Sequence, residues 1–202
     1  MKIKICGITE IETLNFLIEN GVDYAGFIFH ENSPRNVKHA LINEIKNINF
    51  QKTRPVCVFA NPDKSFVSAS LSYFENPIIQ FHGDEAEDFC ESFDYEFWKA
   101  LRIKNSKSFE DIKYFKNAEA ILCDTFREGT YGGTGSSFDW KILNPDLFLD
   151  KKIILSGGLS IENLENALKI NPWCLDFNSG VESSPGLKDH SKIVEIISLI
   201  KK

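Results

Sequence analysis

Eight short apolar runs recur along the chain, each followed by a longer and more polar stretch. They are residues 3–6 (IKIC), 24–29 (YAGFIF), 55–59 (PVCVF), 78–81 (IIQF), 97–101 (FWKAL), 120–124 (AILCD), 152–156 (KIILS) and 174–178 (CLDFN). Each is β-branched or aromatic and nearly unbroken by polar residues, the pattern of parallel strands buried on both faces. The intervening stretches carry helical periodicity. Residues 10–20 place Ile11, Leu14, Leu17 and Ile18 on one side, and Gly21 stops the helix. Residues 85–93 and 160–168 read the same way. Ser160 and Asn163 open the second of these, although the usual capping-box Glu is missing at the third position. Residues 189–200 form the last helix, with Asp189 as its N-cap.

About eight strand–helix units predict an α/β protein, a single-domain (β/α)8 TIM barrel over residues 1–202. At this length the barrel is compact, so its helices and bottom loops should be short. A doubly wound open sheet uses the same alternation, and the alternation favours the barrel only weakly.

Composition removes several function classes. The apolar runs are too short to span a membrane, and the N-terminal MKIKICGIT lacks the apolar core and cleavage site of a signal peptide. The net charge of -6 argues against nucleic acid or an anionic membrane as partner, because both need a basic patch. The five cysteines are odd in number and contain no C-x-x-C, which argues against a zinc site or a disulfide framework and for a reducing cytoplasm. Most of them read as small core residues.

In a parallel α/β barrel, chemistry gathers where strands end and helices begin. The unusual residues of this chain fall there. Cys6-Gly7 closes the first strand and Arg35 follows a Ser-Pro turn after the second. His82-Gly83-Asp84 follows the fourth. Asp124 closes the sixth, with Gly132, Gly133 and Gly135 beyond it. Gly157-Gly158 closes the seventh strand, and Asn178-Ser179-Gly180 the eighth. Glycines at so many strand ends permit positive φ and close approach of the backbone to a ligand. Gly157, Gly158, Ser179 and Gly180 are the expected phosphate cradle, with the positive end of the helix that starts near Ser160 added to their N–H groups. Ordinary tight turns are the plainer alternative.

Cys6 and Asp124 are the candidate acid–base pair, both at strand ends facing the barrel mouth. Taken alone, Cys6 also fits a buried structural thiol and Asp124 a helix N-cap. Lys4 shares the face of Cys6 and, inside a barrel, needs a carboxylate partner, Asp124 or Asp176. A nearby cation would lower the thiol, and burial would raise the carboxyl. Arg35 could clamp a carboxylate with two parallel bonds or be a solvated surface arginine. His82 is a substrate contact or an ordinary loop histidine.

KICGIT (4–9), GFIF with SPR (26–35), VFAN (58–61), QFHGDE (80–85), YGGTGSSFDW (131–140), LSGGL (155–159) and NSGVESSPGLKD (178–189) occur in an order that resembles the phosphoribosylanthranilate isomerase family. The resemblance implies a cofactor-independent and metal-free (β/α)8 isomerase of tryptophan biosynthesis. Such an enzyme performs an Amadori rearrangement of N-(5-phosphoribosyl)anthranilate. It further implies Cys6 as general base, Asp124 as general acid, and Arg35 as partner of the anthranilate carboxylate. His82, Gly133 and Asp176 would be substrate contacts, and the two glycine loops would hold the phosphate. The partner is a small phosphorylated substrate, with no nucleic acid and no membrane. The chain is expected to act as a monomer, a dimer being the alternative. Asn178, Cys57 and Phe81 depart from the family's usual residues, and none is the acid or the base. A non-catalytic phosphosugar-binding barrel, or another phosphate-binding barrel enzyme such as indole-glycerol-phosphate synthase, is the rival reading.

Overall fold

The computed structural model describes residues 1–125, 140–143 and 151–201. Its frame is eight parallel strands: β1 (Lys2–Cys6), β2 (Tyr24–Phe29), β3 (Arg54–Phe59), β4 (Ile78–Phe81), β5 (Phe97–Ile103), β6 (Ala120–Thr125), β7 (Lys152–Leu155) and β8 (Cys174–Phe177). They pair in chain order, and β8 returns to β1 to close the barrel. Closure excludes the open doubly wound sheet, whose edge strands would each have one neighbour.

Alternation along the strands sorts side chains to two sides. Ile3, Ile5, Phe27, Phe59, Ile79, Phe81, Cys123 and Leu155 point outward into a core shared with the helices. Cys6, Val56, Val58, Ile78, Ala100, Leu122 and Cys174 belong to a separate cluster inside the barrel. The N-terminal end of the cylinder is filled by rings. Tyr24 and Trp98 meet edge to face at 4.9 Å between centroids, and Trp173 lies perpendicular to Trp98 at 6.0 Å.

The helices around the barrel are α1 (Ile11–Glu19), α2 (His39–Ile45), α3 (Lys64–Leu71), α4 (Glu87–Glu91), α5 (Leu164–Ile170) and α6 (His190–Ile200). In α1, Leu14, Leu17 and Ile18 are buried as their spacing predicts, and Gly21 beyond the helix has φ 63°. Asp189 caps α6 by accepting from the N–H groups of Ser191 and Lys192. Two elements differ from the expected pattern. After β5 the chain forms a 3-10 segment, Ser106–Tyr114, rather than an α-helix. Its buried positions, Phe109 and Ile112, followed by Phe115, recur every third residue, which matches the 3-10 period. The stretch from Ser160 opens with a 3-10 turn, Ile161–Asn163, before α5 begins. Its capping box is complete after all, because the Asn163 side chain does the work expected of Glu and accepts from the Ser160 N–H at 3.0 Å.

A hairpin follows β8: β9 (Glu182–Ser184) and β10 (Leu187–Lys188) pair antiparallel, with Lys188 in register with Glu182. No helix among the described residues is long and apolar enough to cross a membrane.

Candidate active site

The C-terminal ends of the strands enclose a cavity of about 410 Å³. Cys6, Arg35, His82, Asp124, Asp176, Gly157, Gly158 and Ser179 all line it. Eight of the expected residues, drawn from six strand ends, thus meet in one place. Gly133 lies outside the described residues, as does the glycine-rich motif around it. Gly180 does not line the cavity. A Cβ there would sit 1.9 Å from the Leu159 carbonyl oxygen, so its role is to let the loops after β7 and β8 pack backbone to backbone.

β1 sends Lys4 and Cys6 inward. Lys4 is the register partner of Asp176 on β8, and its Nζ donates to Asp176 Oδ2 at 2.7 Å with both side chains buried. Of the two carboxylates considered for Lys4, Asp176 is therefore the partner. Burial alone would lower the Lys4 ammonium, but Asp176 and Cys6 more than offset this and hold it above the ordinary lysine range. Burial pushes Asp176 up, which Lys4 only partly offsets. The first shift favours the ion pair and the second opposes it; the 2.7 Å contact decides for the ion pair. The second carboxylate oxygen, Oδ1, is buried with no hydrogen-bond partner among the described residues. At a cavity wall, such an oxygen is a ready acceptor for a ligand hydroxyl.

Cys6 is 5% exposed and is the one cysteine of the five that lines this cavity; all five are free and buried. Its register partner is Gly26, where a Cβ would stand 2.8 Å from the sulfur. Glycine at that position makes room for the thiol. Burial pushes the Cys6 thiol above its ordinary value, and the opposing pull of Lys4 is smaller. This corrects the expectation that a nearby cation leaves the thiol lowered. The cation is present, but burial outweighs it and Asp176 takes up much of its charge.

Asp124, near the end of β6, accepts from the Thr125 N–H through Oδ1 at 2.7 Å and lies 3.0 Å from His82 Nε2 through Oδ2. The other ring nitrogen of His82 is 2.9 Å from Gln80 Nε2. With the Gln80 amide donating to Nδ1, the imidazole proton sits on Nε2 and faces Asp124. β5 lies between β4 and β6, so the contact of His82 with Asp124 spans one intervening strand. His82, expected as a substrate contact or an ordinary loop histidine, lines the cavity and also holds Asp124 in place.

Arg35 is buried rather than solvated. Its Nε and Nη2 donate to Glu182 Oε1 and Oε2 at 2.8 and 2.7 Å, so the fork expected to meet a ligand is closed on an internal carboxylate. Its remaining nitrogen, Nη1, makes no hydrogen bond among the described residues. Glu182 also accepts from Lys188 Nζ at 2.7 Å, and Lys188 donates to Asn178 Oδ1 at 2.9 Å. Burial alone would raise Glu182, but Arg35 and Lys188 hold it below the usual carboxylate range. Burial lowers Lys188 by more than Glu182 raises it.

Gly157 and Gly158 have φ of 85° and 67°, two successive left-handed residues that few side chains would tolerate. A Cβ on Gly157 would also lie 2.3 Å from Thr125 Oγ1 and 2.8 Å from Asp124 Oδ1. The bare backbone at this edge suits an anion. The helical backbone begins at Ile161 as a 3-10 turn that runs directly into α5, next to this loop. The opposite wall is apolar, with Ile28, Pro34 and Val58 on it.

Gly26, Gln80, Glu182 and Lys188 stand inside the GFIF, QFHGDE and NSGVESSPGLKD motifs, but only strand register brings them into the site, which residue type and spacing alone do not reveal.

The chain matches the model of the family described as N-(5'phosphoribosyl)anthranilate (PRA) isomerase over residues 3–199. It is 40% identical over 204 residues to the N-(5'-phosphoribosyl)anthranilate isomerase of Sulfurihydrogenibium sp. (strain YO3AOP1), covering 100% of this chain and 99% of the relative. Its fold resembles the crystal structure of phosphoribosyl anthranilate isomerase from Thermotoga maritima, with TM-score 0.88, 32% identity, and 100% and 98% of the two chains covered. It also resembles a phosphoribosyl anthranilate isomerase solved in complex with reduced 1-(o-carboxyphenylamino)-1-deoxyribulose 5-phosphate, with TM-score 0.85, 31% identity, and 100% and 98% covered.

Proposed function

Because the chain belongs to the N-(5'-phosphoribosyl)anthranilate isomerase family, we propose how its own residues divide the work of that reaction. The enzyme rearranges N-(5-phosphoribosyl)anthranilate to 1-(2-carboxyphenylamino)-1-deoxyribulose 5-phosphate in tryptophan biosynthesis. Asp124, as the carboxylic acid, gives a proton to the furanose ring oxygen. The bond from that oxygen to C1 breaks, and the anilino nitrogen lone pair closes a C=N bond to form the protonated Schiff base. Cys6, as thiolate, takes the proton from C2, and the released electron pair neutralises the iminium to give an enolamine. Moving the enol proton to C1 yields the ketone. One proton has then left Asp124 and one has reached Cys6, and the enzyme resets by exchange with water.

The residues around this pair bind and orient. Backbone N–H groups at Gly157, Gly158 and Ser179 take the phosphate, with Gly180 holding the loops together. The free Oδ1 of Asp176 accepts from a sugar hydroxyl. Arg35 meets the anthranilate carboxylate, and Ile28, Pro34 and Val58 face its ring. Gly133, outside the described residues, is kept as a further substrate contact. We further propose that the chain works as one barrel domain in the cytoplasm, as a monomer, and takes a small phosphorylated substrate rather than nucleic acid or membrane.

The observation that supports this reading is that Cys6 on β1 and Asp124 on β6 line one cavity, with Gly157 against Asp124. The test is turnover, followed as loss of substrate fluorescence. Cys6→Ser and Asp124→Asn should each lower kcat by about 100-fold or more while a product analogue still binds. Near-normal turnover in either variant would remove that residue from its role.

A further inference from the structure

The Glu and Lys of the motif SGVESSPGLKD have no part in the chemistry above, yet both are buried beside it. Glu182 is the hub of this cluster. Its two oxygens take Nε and Nη2 of Arg35, and Oε1 also takes Lys188 Nζ at 2.7 Å. The β9–β10 ladder fixes that pair, since Lys188 and Glu182 are register partners. Lys188 is held from behind by the Asn178 carbonyl at 3.2 Å and Asn178 Oδ1 at 2.9 Å. The Glu182 backbone is held too, its carbonyl accepting from Lys192 Nζ at 2.8 Å. Arg35 reaches this place past Gly7, where a Cβ would stand 2.8 Å from Arg35 Cδ.

Two consequences follow. The guanidinium cannot turn, so only the edge carrying Nη1 is left for a ligand in the cavity that Arg35 lines. Two buried cations also share one buried carboxylate, so the cluster keeps an excess positive charge where water is scarce. A second carboxylate, brought by the ligand, is the group that balances it.

We propose that Glu182, backed by Lys188, is a positioning residue that makes Arg35 a one-edged reader of the substrate's ortho carboxylate. It thereby sets the preference for an anthranilate over a plain aniline. This rests on Arg35 meeting that carboxylate. A hairpin staple with no bearing on specificity is the competing account, and the two differ in what a ligand without the carboxylate should feel.

Calorimetry with two probes separates them. One is reduced 1-(o-carboxyphenylamino)-1-deoxyribulose 5-phosphate; the other is its phenylamino counterpart, which lacks the carboxylate. The wild-type protein should favour the first by roughly 30-fold or more, the scale of a charge-assisted pair. Glu182→Gln should cut this preference to about 3-fold, with the phenylamino ligand bound within about 2-fold of wild type. Glu182→Gln with Lys188→Met restores the original charge excess without the clamp, and should also lose the preference. It serves as well where the single variant folds poorly, and Glu182→Asp should fall between. If the wild type itself shows no preference, the reading of Arg35 fails. If the wild type discriminates and the variants discriminate equally, or lose both ligands alike, Glu182 is a staple and the proposal is overturned.

Discussion

His82 Nε2 stands 3.0 Å from Asp124 Oδ2, and the Gln80 amide on the far side of the ring decides which nitrogen faces the carboxyl. A general acid works only when its oxygen is aimed at the atom to be protonated, so this pair makes β4 an aiming device for β6. His82→Ala should lower kcat by roughly 10- to 100-fold and leave KM within a few-fold. Gln80→Leu should do the same more mildly, because it frees the tautomer but keeps the ring. Steady-state kinetics checks both; a change confined to KM would reduce His82 to a substrate contact.

The Lys4–Asp176 pair gives a stability prediction. Lys4→Met leaves a buried carboxylate without its cation and should cost about 3–5 kcal/mol. Adding Asp176→Asn removes the stranded charge, so the double variant should regain most of that loss. Urea unfolding of the two variants and the wild type measures it. Equal instability of the single and double variants would mean that the pair's charge matters little.

The pH dependence follows from the position of the thiol. Burial holds Cys6 above its ordinary value, and the thiolate is the active form. Alkylation of Cys6 by iodoacetamide, which needs the thiolate but not the Asp124 proton, should therefore climb with pH through neutrality and continue past the point where an ordinary thiol levels off, about pH 8.5. A plateau by pH 7 would show a lowered thiol instead.

Gly180 allows a test of the anion cradle that leaves the acid and base alone. Gly180→Ala drives a Cβ onto the Leu159 carbonyl, and backbone must move to admit it. The loops after β7 and β8 should part, raising KM and weakening inhibition by inorganic phosphate about 10-fold, the loss of one charge-assisted bond. Unchanged phosphate inhibition would place the anion elsewhere.

The strands were legible because each is an almost pure apolar run, a signal that survives without knowledge of its neighbours; closure of the barrel was favoured only weakly by that pattern and is settled by the pairing of β8 with β1. Cys6, Asp124 and Gly157 stood out by falling at strand ends, although a buried thiol, a helix N-cap and a tight turn explain each one taken alone; their occurrence together and the family resemblance singled them out. What escaped was everything set by register. Gly26 matters only because it stands opposite Cys6, and Glu182 only because a two-strand hairpin turns it back onto Arg35. The sign of the Cys6 shift escaped for a related reason. The sequence places Lys4 beside the thiol and offers Asp124 or Asp176 as its partner, but does not reveal that the burial of Cys6 outweighs the cation once Asp176 has paired with it.

Tyr24, Trp98 and Trp173 stopper the cylinder at its lower end. Among the described residues the chamber is consequently a cul-de-sac, and whatever enters at the upper end departs there. Spent product and incoming reactant compete for one passage, so the pace of departure bounds the pace of arrival. An inhibitor wide enough to lodge in that passage needs no contact with the reacting atoms to stop the cycle.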